Sequence, residues 1–208
     1  MRSRLDEALE ALNREMISMG MLCESAIAKA SRALLHCDIP MAQELPQLLE
    51  QSNRKQREIE GICLRLLMQQ QPVARDLRTV SAALKMVTDA DRIADQSADL
   101  AEIVAMGHIT QIPETLPLQQ MATAVIRMVT DSIDAFVKQD GKIAHNVIQY
   151  DDVVDAFFNE CKAALLTMTD KPDAMIDLLM ICKYFERIGD HAVNIAKWVL
   201  FCLTGELS

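Results

Sequence analysis

Aromatic residues supply only 4% of this 208-residue chain, and glycine and proline occur just six times each. Short strands joined by tight turns draw on these residues, so the composition speaks against a sheet and for helices rich in Leu, Ala, Met and Ile. Cationic side chains are scarce too: 21 Lys and Arg face 30 Asp and Glu, a formal net charge of -9. That balance speaks against nucleic acid and against an anionic membrane surface, because both need clustered Lys and Arg to neutralise phosphate. Proteins or cations are the partners it allows. No run of about 18 uncharged apolar residues is present, so direct membrane insertion is not expected. Arg2, Ser3, Arg4, Leu5, Asp6 and Glu7 form no apolar signal core after Met1, and a cytoplasmic location is expected. CxxC pairs are lacking. The six cysteines (Cys23, Cys37, Cys63, Cys161, Cys182 and Cys202) are widely spaced and read as reduced core residues rather than a disulfide framework. Hydrophobic residues make up 50% of the chain, which excludes a disordered protein and allows a real core.

What is present is helical periodicity. From Leu5 the apolar positions run Leu9, Leu12, Met16, Met19, Cys23, Ala26, Ala30 and Ala33 in steps of three and four, a heptad-like seam on one long helix. Asp38 and Pro40 break it and fit an N-cap with an early helical Pro; Leu45, Leu48, Leu49, Ile59, Ile62, Leu66 and Leu67 then carry a second helix. A third starts at Gln71 and Pro72. Residues 107–117, with Gly107, Pro113, Pro117 and no period, read as a linker. The second half repeats the plan, with helices over about 118–139, about 142–168 and from near Pro172 to about Leu203. The reading is all-α: two tandem pseudo-repeated three-helix bundles, six long helices in all, with bundles at 1–106 and 118–208. Helices of about 30 residues are about 45 Å long at 1.5 Å per residue, so each bundle is elongated.

The third helix has a seam of Val73, Leu77, Val80, Leu84 and Val87, and then Asp91 where a hydrophobe is due. Asp91, Asp95 and Asp99 follow at i, i+4 and i+8, and Glu186, Asp190 and Asn194 repeat that spacing on the sixth helix. An offset of 95 residues superposes Leu84 on Leu179, Asp91 on Glu186, Arg92 on Arg187, Ile93 on Ile188, Asp95 on Asp190 and Ala101 on Ala196, the mark of an internal duplication. Acids on one helix face repel, so something must neutralise them. A hard cation held by carboxylate oxygens, Mg, Ca, Mn or iron, is one answer. Ion pairs with Arg92, Arg187, Lys85 and Lys183, or plain solvation, are the other. His191 is adjacent to Asp190 but lies about 100° round the helix, which favours a structural role over a ligand role.

The stretch Glu186-Arg187-Ile188-Gly189-Asp190-His191-Ala192-Val193-Asn194-Ile195-Ala196 resembles the signature of the PhoU family, and Asp91-Arg92-Ile93-Ala94-Asp95 resembles its partner copy. Gln70-Gln71-Pro72-Val73-Ala74-Arg75-Asp76-Leu77-Arg78 is similar to the opening of that family's third helix, and Asp151-Asp152-Val153-Val154-Asp155 to the acidic entry of its fifth. The resemblance implies two three-helix bundles side by side and acid motifs that hold multinuclear iron or other metal clusters in some members. It adds Asp152 and Asp155 to the metal candidates Asp91, Asp95, Asp99, Glu186, Asp190 and Asn194, with Mn, Mg or Fe as the ions. This chain departs from the pattern in two places: Ala94 replaces the usual Gly, and Leu49, Glu50 and Asn53 stand where the second half has Asp151, Asp152 and Asp155. A weaker first site is expected on that count, while the charge on Asp99 against neutral Asn194 pulls the other way.

For function, the resemblance implies a homodimeric adaptor, not an enzyme, that restrains phosphate uptake and phosphate-starvation signalling. Its implied partners are the ATPase subunit of the phosphate transporter and a membrane sensor histidine kinase. No nucleophile, base and oxyanion set is visible. Two other classes stand beside it: a metal-binding ferritin-like bundle protein, and a regulatory module of another permease. None of the four His residues has a Glu three positions before it, which removes the Glu-x-x-His element of di-iron bundles. The acidic balance also speaks against direct high-affinity phosphate binding.

Overall fold

The three-and-four stepping becomes helix almost end to end. The computed structural model describes residues 2–69, 75–168 and 171–206. Among them are α1 (Arg2–His36), α2 (Ile39–Ala42), α3 (Leu45–Gln69), α4 (Arg75–Ala105), α5 (Leu118–Lys138), α6 (Gly141–Leu165) and α7 (Pro172–Thr204), and no strand. The α1 seam is buried from Leu12 through Met16, Met19, Cys23, Ala26, Ala30 and Ala33. Gln71 and Pro72, expected to open the third helix, and residues 70–74 of the family-like segment lie outside the described residues.

The turns that close α1 and α5 are two copies of one device. Cys37 and Gln139 both adopt left-handed backbone, φ 50° and 53°. Each is followed by an Asp whose N–H bonds back five residues, Asp38 to the Ala33 carbonyl at 2.8 Å and Asp140 to that of Ala135 at 3.0 Å, a Schellman closure. The same Asp then caps the next helix. Asp38 accepts from Met41 N at 2.9 Å, and Asp140 from Lys142 N at 2.8 Å.

Beyond the cap the halves differ. The single second helix expected from sequence is two pieces, the one-turn α2 and then α3. Pro46 is the cause: it has no N–H for the Ala42 carbonyl and its ring would clash there, so α2 cannot run on into α3. The fifth expected helix also stops early, at Leu165 rather than 168. There the closing bonds tighten to i→i−3, Thr167 N to Ala164 O and Met168 N to Leu165 O, which ends the α-helix.

In the first half α1, α3 and α4 pack on one another, and in the second α5, α6 and α7 do the same; α4 then lies along α7, and α1 along α5. Both joints are antiparallel. On α4–α7, Arg78 Nε donates to the Cys202 carbonyl at 3.3 Å, and Asp89 meets His191 further along. On α1–α5, Thr130 donates to Glu24 at 2.8 Å, and a Cβ added at Gly20 would stand 3.1 Å from Ile133. Glycine there lets the two backbones approach. The buried apolar residues of both halves form one continuous core.

Candidate functional site

The second acid face is built by α6 and α7. Glu186 and Asp190, one turn apart on α7, and Asp151 and Asp155 of α6 stand near enough that their charges help raise the pKa values of Asp151 and Asp190. Asp151 is the most affected: burial, then the charges of Asp190, Asp155, Glu186 and Asp152, push it up to about 6. It faces Gly189, where an added Cβ would stand 3.3 Å from Asp151 Oδ1. Asp190 is raised by burial and by Glu186, against the pull of Lys183. Lys183 pairs with Glu186 along the helix and sits over the Phe158 ring at 5.5 Å. Asp152, Asp155 and Asp190 are exposed.

The first face is arranged differently. Asp91 is buried, 9% exposed, and its Oδ1 accepts from the fully buried Ser52 hydroxyl of α3 at 3.2 Å. Burial and then the Asp95 charge raise its pKa, and the Ser52 bond opposes them. Asp95 is paired with Arg92 at 2.9 Å. Asp99 is raised by burial, Asp95 and Glu102, with Arg187 of the other half opposing. Ion pairing, the alternative to cations, is thus realised at Asp95 and Glu186. Ala94, where the second half has Gly189, is buried.

Asn194 and His191 turn the other way, toward α4. His191 Nδ1 lies 2.9 Å from Asp89 Oδ1, and Asn194 Nδ2 donates to the same oxygen at 3.3 Å. His191 thus meets α4 across the joint between the halves. The trio read from spacing as one face is therefore divided: Glu186 and Asp190 toward α6, Asn194 toward the joint between the halves.

Asp151, Ser52 and Asp89 were not among the sequence candidates. The four-residue step from Asp151 to Asp155 carried a signal for the first. Ser52 and Asp89 carried none, because their importance comes from what crosses to them from another helix.

Among the described residues no three His, Cys, Asp or Glu side chains are gathered tightly enough to hold one metal ion. The donor chemistry nonetheless fits a hard cation better in the second half than in the first. Among the described residues Asp151 has carboxylates for neighbours and makes no ion pair, whereas the oxygens of Asp91 and Asp95 are engaged by Ser52 and Arg92. No described helix is long and apolar enough to cross a membrane.

The family model described as PhoU domain matches the chain twice, over residues 16–104 and 118–199. The phosphate-specific transport system accessory protein PhoU homolog of Zymomonas mobilis is 34% identical over 206 residues, covering 97% of this chain and 87% of that protein. Its counterpart in Pseudomonas aeruginosa is 32% identical over 203 residues, covering 95% and 84%. The crystal structure of PhoU from Pseudomonas aeruginosa superposes with a TM-score of 0.88 at 29% identity over 97% of this chain and 99% of that one. That of the phosphate transport system regulatory protein PhoU from Streptococcus pneumoniae gives 0.91 at 28% identity over 98% and 99%. With the PhoU domain matched in both halves, and relatives and solved structures alike over nearly its full length, this chain belongs to the PhoU family.

Proposed function

We propose that this protein is a phosphate-transport accessory regulator, a non-enzymatic adaptor that acts by docking. The observation that carries the reading is the tandem PhoU domain, shared with relatives named as accessory proteins of a phosphate-specific transport system. In this reading the chain works in the cytoplasm as a homodimer. It contacts the ATPase subunit of a phosphate transporter and a membrane sensor histidine kinase, and restrains both when phosphate is plentiful. The long helices and net charge of -9 suit protein docking rather than phosphate capture. Affinity capture from cells grown in high and in low phosphate tests it. Recovery of the transporter ATPase or the kinase is the expected result; capture of neither in both conditions would count against the adaptor role. Sedimentation at micromolar concentration tests the dimer, since a clean mass near the 23.3 kDa of one chain contradicts it.

The acid faces are proposed to take hard cations, Mn, Mg or Fe. The second would use Asp151, Asp152, Asp155, Glu186 and Asp190, with Asn194 at its margin; the first, through Asp91, Asp95 and Asp99, would bind more weakly because Ser52 and Arg92 already engage its oxygens. A cation that binds only the native state stabilises it by mass action, about 2.7 kcal/mol at a hundredfold excess over Kd. Melting curves in chelator and in each metal should show that rise, reduced more by Asp190→Asn than by Asp95→Asn. An unchanged melting temperature in every metal removes the cation from the account.

A further inference from the structure

Exposed apolar side chains collect where α4 ends and α7 begins. Ile176, Leu179 and Met180 are 56%, 39% and 41% exposed, and at i, i+3 and i+4 they share one outward face of α7. Met106, 55% exposed, directly follows α4 and continues its bonding, its N–H donating to the Glu102 carbonyl at 3.2 Å. Arg78 opposite Cys202 and Asp89 opposite His191 fix the antiparallel register of α4 and α7. Carried on, that register brings Leu100 opposite Met180 and Val104 opposite Ile176. His108 Nδ1 then lies 2.9 Å from Asp177 Oδ2, which holds the chain just after Met106 against α7 beside Ile176. One apolar strip therefore crosses from α4 to α7.

The flanks of the strip are acidic. Asp99 and Glu102 approach it along α4, and Glu186 and Asp190 continue it along α7. The cationic groups nearby are largely engaged: Lys183 is paired with Glu186 and sits over the Phe158 ring, His108 meets Asp177, and Lys171 donates to Thr110 at 3.0 Å. Arg187 stands exposed among them. We propose that this strip is a docking site for a cationic amphipathic helix of a partner protein, whose apolar side lies on Met106, Ile176, Leu179 and Met180 and whose Lys or Arg side chains meet the flanking carboxylates.

Charge selects this occupant. A two-fold contact sets a patch against its own copy, so a second copy of this chain would bring like carboxylates face to face along the rim. The net charge of -9 adds to that repulsion and turns away an anionic membrane as well. A helix with Lys or Arg on its polar side gains from the same field. The unbranched thioethers of Met106 and Met180 adapt to the apolar side chains it presents, as methionine does on surfaces that receive amphipathic helices. From Ile176 to Asp190, α7 offers about 21 Å of surface at 1.5 Å per residue, room for about four turns. Such a surface presupposes an adaptor that acts by docking, and it defines the kind of segment received.

The test uses the full chain in chelator, with methyl-labelled methionine. The probe is a synthetic helix of about 18 residues with Leu on one face and Lys on the other, about 27 Å long at 1.5 Å per residue. Among the described residues four methionines are exposed: Met106 and Met180 in the strip, Met21 on α1 and Met68 near the end of α3 outside it. The probe should shift the Met106 and Met180 methyl resonances and leave those of Met21 and Met68 in place. Ile176→Ser with Leu179→Ser should weaken binding about tenfold, as loss of an apolar anchor does, while Met21→Ser changes nothing. Silence at Met106 and Met180 overturns the proposal. So do equal shifts at all four, or the same shifts from a probe of identical composition in shuffled order, since both mean general attraction to an acidic surface. Movement of the two strip resonances on dilution without probe would assign the strip to a second copy and overturn it too. Recovery of a transporter ATPase or kinase from cells by the parent and the doubly substituted protein alike would leave the adaptor standing and remove this surface from it.

Discussion

Asp151 has carboxylates around it and Gly189 beneath it, which makes its own charge sensitive to pH. Its folded pKa, about 6, lies above the ordinary carboxylate value near 3.9 that the unfolded chain retains. The unfolded state therefore ionises first as pH rises. This position costs nothing below about 4, destabilises progressively up to about 6, and then levels off. In chelator, the stability advantage of Asp151→Asn over the parent should grow across that interval and stay constant above it; an advantage independent of pH would contradict the assignment. Ser52 makes the opposite case, a buried hydroxyl serving a buried carboxylate. Ser52→Ala should cost about 1–3 kcal/mol at neutral pH, the range for leaving a buried acceptor unpaired. Denaturant unfolding measures it, and a neutral result would mean that water replaces the hydroxyl.

At the scale of elements, the two Asp-capped turns set where each half reverses direction. Asp140 bonds two amides at the start of α6, Lys142 N and Ile143 N, while Asp38 bonds one at the start of α2. Asp140→Ala should cost about 1 kcal/mol, with Asp140→Asn retaining most of the capping. An Asn variant as destabilised as the Ala variant would show that charge rather than hydrogen bonding matters. The break at Pro46 gives the first half a short extra helix that the second half lacks, so the duplicated plan is no longer exact in its second element. The acid faces differ accordingly: α6 brings aspartates to α7, and α3 brings a serine to α4.

For the whole molecule, the governing feature is that the halves share a core through α4–α7 and α1–α5. Such a molecule should unfold as one unit, with calorimetric and van't Hoff enthalpies in agreement. Two resolved transitions would show that the halves melt independently. The Asp89 bonds to His191 and Asn194 lie in the first of these joints. Asp89→Ala leaves both partners short of an acceptor and should lower the stability of the whole by about 1–3 kcal/mol without splitting the transition.

Much of this was legible in the chain itself. The seams from Leu12 to Ala33 and from Val80 to Val87 predicted long helices because burial on a helix repeats at three and four residues, and the 95-residue offset exposed the duplication. The acid, Arg, Ile, spacer, Asp order pointed to Asp91, Asp95, Glu186 and Asp190. Periodicity reports only which face of its own helix a residue occupies. It did not say that Asn194 turns to Asp89, that Ser52 reaches Asp91, or that Asp151 lies over Gly189. Those pairings are separated by 38 to 105 positions and depend on the register in which one helix packs on another. Local pattern determined the helices, and only tertiary packing decided which side chains meet, because register is fixed by the fit of all the helices at once.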